Sequence, residues 1–254
     1  MERRLNTVIA IWLAFGISVS TIASDLTGHQ AKEVITQIVN YGFMNGDALI
    51  KPAYNENPEY ITIQGKQYKT SITQLNLVGL ITDEEFTMIR HMTNLKSLTL
   101  ADSQVSDMSA LAGLANLEYL HLSNNQVSDI SALSALTNLW DLSLSGNQIS
   151  DISALATLTN LGRLSVSRNQ VSDISVLVGV TNLVDLYLSH NEVSDISALA
   201  ALTNLRNLWL ENNRISNVSA LVGLTNLDSI SLRDNKQIVD WTSVEHLSAV
   251  YGFN

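Results

Sequence analysis

The chain has 254 residues, a formal net charge of −10 and no cysteine, and hydrophobic residues make up 46% of it. The absence of cysteine excludes disulfide bonds and thiolate metal sites, so stability has to come from packing. The excess of acidic residues repels phosphate backbones and anionic lipids, which argues against nucleic acid as a partner. The composition therefore predicts an acidic protein with a large hydrophobic core.

Residues 1–23 have the features of an export signal. Arg3 and Arg4 follow Met1 and Glu2, an apolar run extends to Phe15, and small residues continue to Ala23. A basic start, a short apolar stretch and a small-x-small site are typical of a secretory signal peptide. We expect cleavage after Ala23, which leaves no membrane span; an uncleaved anchor is the alternative, although the apolar part is shorter than the roughly 20 residues a span needs. The product is then secreted or at the cell surface, or periplasmic in a cell with two membranes.

Residues 24–71 do not follow the repeat that comes after them. Residues 31–39 have the spacing of an amphipathic helix, and residues 60–68 alternate around a glycine as in a β-hairpin. A divergent first repeat follows at 72–94. We expect residues 24–71 to form an N-terminal cap, because an open strand edge is a site for aggregation.

From residue 95 onward the chain repeats an apolar pattern every 22 residues. The phrase Leu-x-x-Leu-x-Leu starts at seven equally spaced leucines: Leu95, Leu117, Leu139, Leu161, Leu183, Leu205 and Leu227. Leu120 and Leu122 alternate with polar residues, which predicts a short strand with both leucines directed inward. Such a unit cannot bury its apolar edges alone, so neighbouring units must stack. The pattern predicts a leucine-rich repeat solenoid with six regular repeats at 95–226.

Two polar columns recur with the same period. Asparagine follows six of the strands, at Asn125, Asn147, Asn169, Asn191, Asn213 and Asn235, and Ser103 stands there in the first regular repeat. We interpret this column as structural, since an amide can bond backbone groups at a buried turn. The acidic column contains Asp107, Asp129, Asp151, Asp173 and Asp195, with Asn217 in the sixth place. We expect these side chains to cap a short helical turn; a calcium site is the alternative.

The last repeat and a C-terminal cap are expected at 227–254. After Asn235 the chain inserts one residue and then departs from the repeat pattern with Trp241, Val244 and Tyr251. We interpret Trp241 and Tyr251 as lids on the core.

The segment from Leu136 to Leu155 reads Leu-Thr-Asn-Leu-Trp-Asp-Leu-Ser-Leu-Ser-Gly-Asn-Gln-Ile-Ser-Asp-Ile-Ser-Ala-Leu and resembles the bacterial 22-residue repeats of the internalin type. The resemblance covers about residues 72–254. It implies an α/β solenoid, a right-handed horseshoe with a parallel concave β-sheet and short helical or irregular convex turns, capped at both ends. It also implies that the concave face binds another macromolecule.

Three features qualify this resemblance. Alanine or valine stands where internalins often have proline, and neither an immunoglobulin-like domain nor a wall-sorting motif follows the repeats. The same repeat length also resembles the regulatory subunit of a eukaryotic serine/threonine phosphatase. The export signal argues against that intracellular role.

The variable residues of each repeat fall on the outward side of the predicted strands. Tyr187 and Trp209 are neighbours one repeat apart, and exposed aromatics among charged and amide groups are typical of binding hot spots. Tyr119, His121 and Trp140 form a weaker cluster, in which we expect Trp140 to be partly buried. The candidate ligand-binding residues are Tyr187, Trp209, Glu211, Asn207, His190, Arg163, Asp185, Asp141, Tyr119 and His121. Asp141, Arg163 and Asp185 alternate in sign along one column, which suggests attraction between adjacent strands.

Catalytic motifs are missing from the sequence. His121, Asp141 and Ser143 or Ser165 fall near one another, but the mature chain has no nucleophile elbow to support a hydrolytic triad. It also lacks the zinc-protease and phosphate-loop motifs. We therefore predict a monomeric, non-catalytic binding module with a protein ligand and without cofactor or metal. An adhesive component that binds glycan or wall polymer is the alternative, and a phosphatase-regulator-like scaffold is the second alternative.

Overall fold

The computed structural model describes residues 43–45, 48–50, 58–235, 238 and 244. The chain divides into two compact units, residues 1–57 and 58–254. In the first unit the backbone forms an antiparallel pair that the sequence did not predict, β1 (Phe43–Asn45) and β2 (Ala48–Ile50). The export signal, the helix expected at 31–39 and the two C-terminal aromatic lids lie outside the described residues. In the described ranges, no helix has the length and apolar character needed to cross a membrane.

The second unit begins with an antiparallel hairpin, as the alternation around Gly65 predicts. It consists of β3 (Tyr60–Ile63) and β4 (Lys66–Lys69). Ile61 and Ile63 alternate with exposed residues and are buried in the same core as the repeats that follow. The hairpin thus supplies two side chains that extend the core of the solenoid at its first repeat.

Eight parallel strands form the sheet of the solenoid in chain order. They are β5 (Gln74–Val78), β6 (Ser97–Ala101), β7 (Tyr119–His121), β8 (Asp141–Ser143), β9 (Arg163–Ser165), β10 (Asp185–Tyr187), β11 (Asn207–Trp209) and β12 (Ser229–Ser231). Leu120 lies opposite Leu98 on one side and Leu142 on the other. Leu120 and Leu122 are fully buried. The predicted inward leucines and the stacking of consecutive repeats are therefore confirmed.

Short 3₁₀ helices return the chain on the side away from the sheet, as the repeat pattern predicts. They span Ser109–Leu111, Ser131–Ala135, Ser153–Thr157, Ser175–Gly179, Ser197–Ala201 and Ser219–Leu221. The first repeat differs, because α1 (Asp83–Met88) stands at this place and leads into a 3₁₀ turn at Ile89–His91. Thr82 and Glu85 form a capping box at the start of α1, which the sequence analysis overlooked.

The acidic column caps these turns. Asp129 Oδ1 accepts a hydrogen bond of 2.8 Å from the backbone N–H of Ser131. The same bond is made by Asp107, Asp151, Asp173, Asp195 and the neutral Asn217. The capping interpretation is confirmed, and each carboxylate has one oxygen already committed to its own turn.

The asparagine column is a structural ladder inside the solenoid, as expected. The Asn147 amide donates to the carbonyls of Leu122 and Leu144, each at 2.9 Å, and its oxygen accepts from Val127 N at 3.0 Å. These three backbone groups belong to two consecutive repeats. The ladder therefore gives buried polar groups partners and fixes the spacing between turns.

A second asparagine ladder, not predicted from the sequence, lies just before the strands. The Asn138 amide donates to the carbonyl of Ala115, one repeat earlier, at 2.9 Å. The equivalent bond is made by Asn116, Asn160, Asn182, Asn204 and Asn226 at 2.8–3.0 Å. The recurrent asparagine just before the first leucine of each repeat was the available signal.

Candidate functional site

The outward face of the sheet collects the variable residues in the predicted columns. The strand register sets Asp185 opposite Arg163 and Asn207, and it sets Tyr187 opposite Ser165 and Trp209. The leucines between these positions are directed into the core. One face of the sheet thus carries the candidate residues while the other holds the solenoid together.

Arg163, Tyr187 and Trp209 form what we call the aromatic stack. The rings of Tyr187 and Trp209 are almost parallel, with 6.5 Å between centroids and 8° between planes. The Arg163 guanidinium lies over the Tyr187 ring, 5.2 Å from its centroid. A cation over an aromatic face is attracted by the ring quadrupole. Tyr187 and Trp209 are both half-buried, so each keeps part of its surface open on this face.

The alternating charges of Asp141, Arg163 and Asp185 do not form ion pairs with one another. In the range 58–235, Arg163 makes no salt bridge with Asp141 or Asp185, and it contacts Tyr187 instead. Asp185 Oδ1 accepts a hydrogen bond of 2.6 Å from the Asn207 amide. Nearby amide and aromatic groups are the direct partners of Arg163 and Asp185, and attraction between adjacent strands along this column stays a prediction.

Two further candidates lie beyond the ends of the strands. Glu211 Oε1 accepts a hydrogen bond of 2.5 Å from the Ser231 hydroxyl. His190 is exposed in the turn after β10, where its backbone has a positive φ of 59° and its N–H donates to the Glu211 carbonyl at 2.7 Å. A left-handed conformation is unfavourable for a residue with a side chain. Glu211 therefore borders the aromatic stack, and His190 belongs to the adjoining turn.

His121 on β7 and Asp141 on β8 form a separate pair. Asp141 is only 8% exposed, although its column was expected to face solvent. His121 Nε2 and Asp141 Oδ1 are 3.1 Å apart, and their geometry does not align for a hydrogen bond. Neither atom has a hydrogen-bond partner among the described residues. The exposure expected for Asp141 was wrong, because the His121 side chain of the preceding strand lies against its carboxylate.

The hydrolytic triad considered from the sequence is not assembled. The Ser143 hydroxyl is 2.9 Å from the Ser123 hydroxyl, and the Ser165 hydroxyl is 2.6 Å from the Ser145 hydroxyl. His121 Nε2 has no hydrogen bond to either serine in the described part of the chain. A nucleophile activated by a hydrogen-bonded base is therefore not formed here. The same residues, 58–235, contain no cluster of three or more histidine or acidic side chains placed to hold a metal ion.

Trp140 lies at the amino end of β8 and is 47% exposed, so about half of its surface is covered, as the expected partial burial requires. Its indole lies over Gly162, one repeat later, and a Cβ atom at Gly162 would overlap the five-membered ring. Tyr119 is 41% exposed, with its ring centroid 6.1 Å from that of Trp140 and its plane tilted by 58°. Gly162 was not predicted from the sequence, although a glycine one 22-residue repeat after a tryptophan was the available signal.

The family model for leucine-rich repeats in two copies matches residues 115–157, 141–179, 181–221 and 203–248, more than half of the chain. No curated protein sequence matches the chain. The parallel sheet, the 3₁₀ turns and this match define a leucine-rich repeat solenoid, a class that uses its extended sheet face for binding.

Several solved structures resemble the chain. An internalin (inlF) from Listeria monocytogenes is 38% identical, with a TM-score of 0.63 over 65% of this chain and 49% of that chain. Internalin C2 (inlC2) from the same organism is 34% identical, with a TM-score of 0.51 over 66% of this chain and 85% of that chain. A leucine-rich repeat protein of Leptospira interrogans shares the fold at 22% identity, with a TM-score of 0.61 over 73% of this chain and 55% of that chain.

The chain belongs to the leucine-rich repeat family, and its repeats are of the bacterial internalin type. It spans about half the length of the inlF protein that it matches.

Proposed function

We propose that this chain is an exported recognition module that binds a protein ligand through the concave face of its parallel sheet. The observation that carries the proposal is the aromatic stack, in which residues from three adjacent strands are held together. Rigid aromatic rings beside an arginine bury a large contact area at low entropic cost, and interface hot spots are enriched in these residues.

The surroundings of the aromatic stack favour a protein over a glycan at this place. Tyr187 has Trp209 on one side and Arg163 on the other, so little of its ring face is free to stack on a sugar. The carboxylates of Asp185 and Glu211 border the stack and would complement a ligand with basic side chains. We assign the other candidates, Asn207, His190, Asp141, Tyr119 and His121, to the periphery of the same contact.

Affinity capture with the chain beginning at Ser24 tests this function. The bound protein is identified by mass spectrometry, and its dissociation constant is then measured for the wild type and for the Tyr187→Ala/Trp209→Ala variant. We expect the double variant to bind at least about 30-fold more weakly, since a hot spot contributes roughly 2 kcal/mol or more. Ser143→Ala/Ser165→Ala, on the same face, is the matched control and should bind like the wild type.

Equal affinity of the wild type and the aromatic double variant would overturn the proposal. Binding on a glycan array that the same double variant loses would favour the adhesive alternative. Capture of a phosphatase catalytic subunit would favour the scaffold alternative. Substrate turnover that His121→Ala or Ser143→Ala abolishes would contradict a non-catalytic role without cofactors.

Export and the monomeric state are separate parts of the proposal. Expression of the full chain in a bacterial host, followed by fractionation and mass measurement, should yield a product outside the cytoplasm that starts at Ser24. A full-length product retained in the membrane fraction would favour the anchor instead. Light scattering of the purified product should give the mass of a single chain.

A further inference from the structure

Trp140 and Tyr119 form an exposed aromatic pair distinct from the aromatic stack. Trp140 precedes β8, so it lies at the amino end of the strands and to one side of the sheet face. The two side chains are 47% and 41% exposed, whereas Tyr187 and Trp209 are half-buried against each other. Trp140 therefore offers a large apolar surface to solvent that the rest of the solenoid does not cover.

Gly162 supports the indole of Trp140 from beneath. A Cβ atom at this position would overlap the indole nitrogen and its neighbouring carbons, so only glycine lets the ring lie against the backbone. The equivalent positions of other repeats carry side chains: Lys96, Glu118, Val184, Arg206 and Asp228. The five-membered ring of the indole rests on Gly162, and Trp140 as a whole is 47% exposed. A flat, supported aromatic surface loses little freedom when a ligand stacks on it.

Polar side chains surround this surface in an open depression lined by Glu118, Tyr119, Asn138, Trp140 and Asn160. The amides of Asn138 and Asn160 donate to carbonyls one repeat earlier, each at 2.9 Å. These bonds fix the two side chains and leave their amide oxygens able to accept. Glu118 Oε1 accepts from Lys96 at 2.7 Å, which fixes a carboxylate at the same edge. The depression thus combines one apolar platform with several positioned acceptors.

This combination matches the chemistry of a pyranose sugar. A sugar ring with equatorial substituents presents C–H groups on its faces and hydroxyl donors around its rim, so the faces suit an indole and the rim suits oxygen acceptors. Small-ligand sites commonly pair aromatic walls with a few polar groups that fix orientation. The net charge of −10 disfavours sugars that carry carboxylate or sulfate groups.

We propose that Trp140, supported by Gly162, is the platform of a second binding site that takes a neutral β-linked oligosaccharide. Tyr119 forms one wall of the site, and Asn138, Asn160 and Glu118 accept hydrogen bonds from the sugar hydroxyls. This site goes beyond the protein-binding function, because its platform, Trp140, is not part of that contact and Tyr119 is the one residue assigned to both.

Calorimetric titration of the exported chain with cellotetraose and with chitotetraose tests the site. We expect at least one of these probes to bind with a dissociation constant on the order of 0.1–1 mM. Trp140→Ala should weaken that binding at least about tenfold, in line with the loss of a central aromatic. Gly162→Ala should have a similar effect although it leaves the indole in the chain, because the added methyl displaces the ring. Trp140→Phe should retain part of the affinity.

Trp209→Ala is the matched control, since it removes an aromatic from the same solenoid but not from this site, and its sugar affinity should be unchanged. Thermal unfolding of every variant verifies that the fold is intact. The proposal is overturned if neither probe binds at about 10 mM, if Trp140→Ala binds as the wild type does, or if a sulfated oligosaccharide binds better than the neutral ones. It is also overturned if Trp140→Ala weakens only the captured protein ligand, which would make this surface part of the protein interface.

Discussion

The inner asparagine column and the outward face of the sheet follow the same 22-residue period but behave differently. Asn125, Asn147, Asn191 and Asn213 are buried and repeat nearly identical bonds to the backbone. On the outward face the residues at one register position differ from strand to strand, and so do their partners. The constant network fixes the spacing of the turns without using outward side chains, so the outward face is free to vary.

Removing one buried asparagine should have the largest effect on stability. Asn147→Ala leaves the carbonyls of Leu122 and Leu144 and the N–H of Val127 without their side-chain partner. Each buried unsatisfied group costs about 1–3 kcal/mol, so we expect the free energy of unfolding to fall by at least about 3 kcal/mol. Urea denaturation followed by circular dichroism measures the change.

Asn169→Ala is the matched comparison, because Asn169 makes equivalent bonds but is only half-buried. Its loss should be smaller, since water can reach the freed groups. Equal losses at the two positions would mean that burial does not set the cost.

Removing an aromatic from the outward face should cost less. Trp209→Ala eliminates the stacking with Tyr187 and exposes more of the Tyr187 ring, which is already only half-buried. We expect a loss of about 1 kcal/mol, typical of an aromatic pair, together with the loss of ligand binding described above. The same urea titration measures the change. A loss of unfolding free energy as large as that of Asn147→Ala would show that this face also stabilises the fold.

The acidic column should give the smallest effect, visible only in acid. The Ser131 backbone N–H, aided by the Ser131 hydroxyl, lowers the pKa of Asp129 below its usual 3.8. A carboxylate whose pKa is depressed by folding stabilises the folded state above its unfolded pKa, and this contribution disappears as the pH falls through the folded pKa. The unfolding free energy should therefore decrease below about pH 3.8.

Asp129→Asn should leave stability at neutral pH unchanged and weaken this acid dependence, because Asn217 caps its own turn without a charge. Asn217→Asp should strengthen the dependence. Unfolding curves recorded from neutral pH downward measure both variants. A large loss for Asp129→Asn at neutral pH would mean that the carboxylate charge, rather than the cap, stabilises the turn.

The periodic part of the fold could be predicted from the sequence, while several local features could not. The spacing of Leu120 and Leu122 was enough to predict a strand with both leucines directed inward, because successive side chains of a strand point to opposite faces. The 22-residue repeat then predicted that such strands stack in parallel. The hairpin around Gly65 also followed from alternation. Helix α1 was not predicted, because its capping box occurs only once and does not recur with the 22-residue period.

The candidate site was predictable in its columns but not in its contacts. The fixed period placed Tyr187 beside Trp209, since residues one repeat apart face each other across parallel strands. Arg163 lies over Tyr187 rather than beside an aspartate. Its long side chain reaches from one column to the next, and the repeat period does not determine which neighbour it reaches. Burial of Asp141 and exposure of Trp140 depend likewise on the particular neighbours that each side chain meets.

By itself, the sequence determined the class of fold, the parallel register and which residues share the outward face, because these follow from a period set by backbone geometry. Only the tertiary structure decided which of those residues touch, which are enclosed and which remain open. The reason is that a periodic backbone fixes where side chains start, whereas their contacts depend on size, charge and the glycine or serine that happens to stand beside them. Gly162 beneath Trp140 is the clearest example.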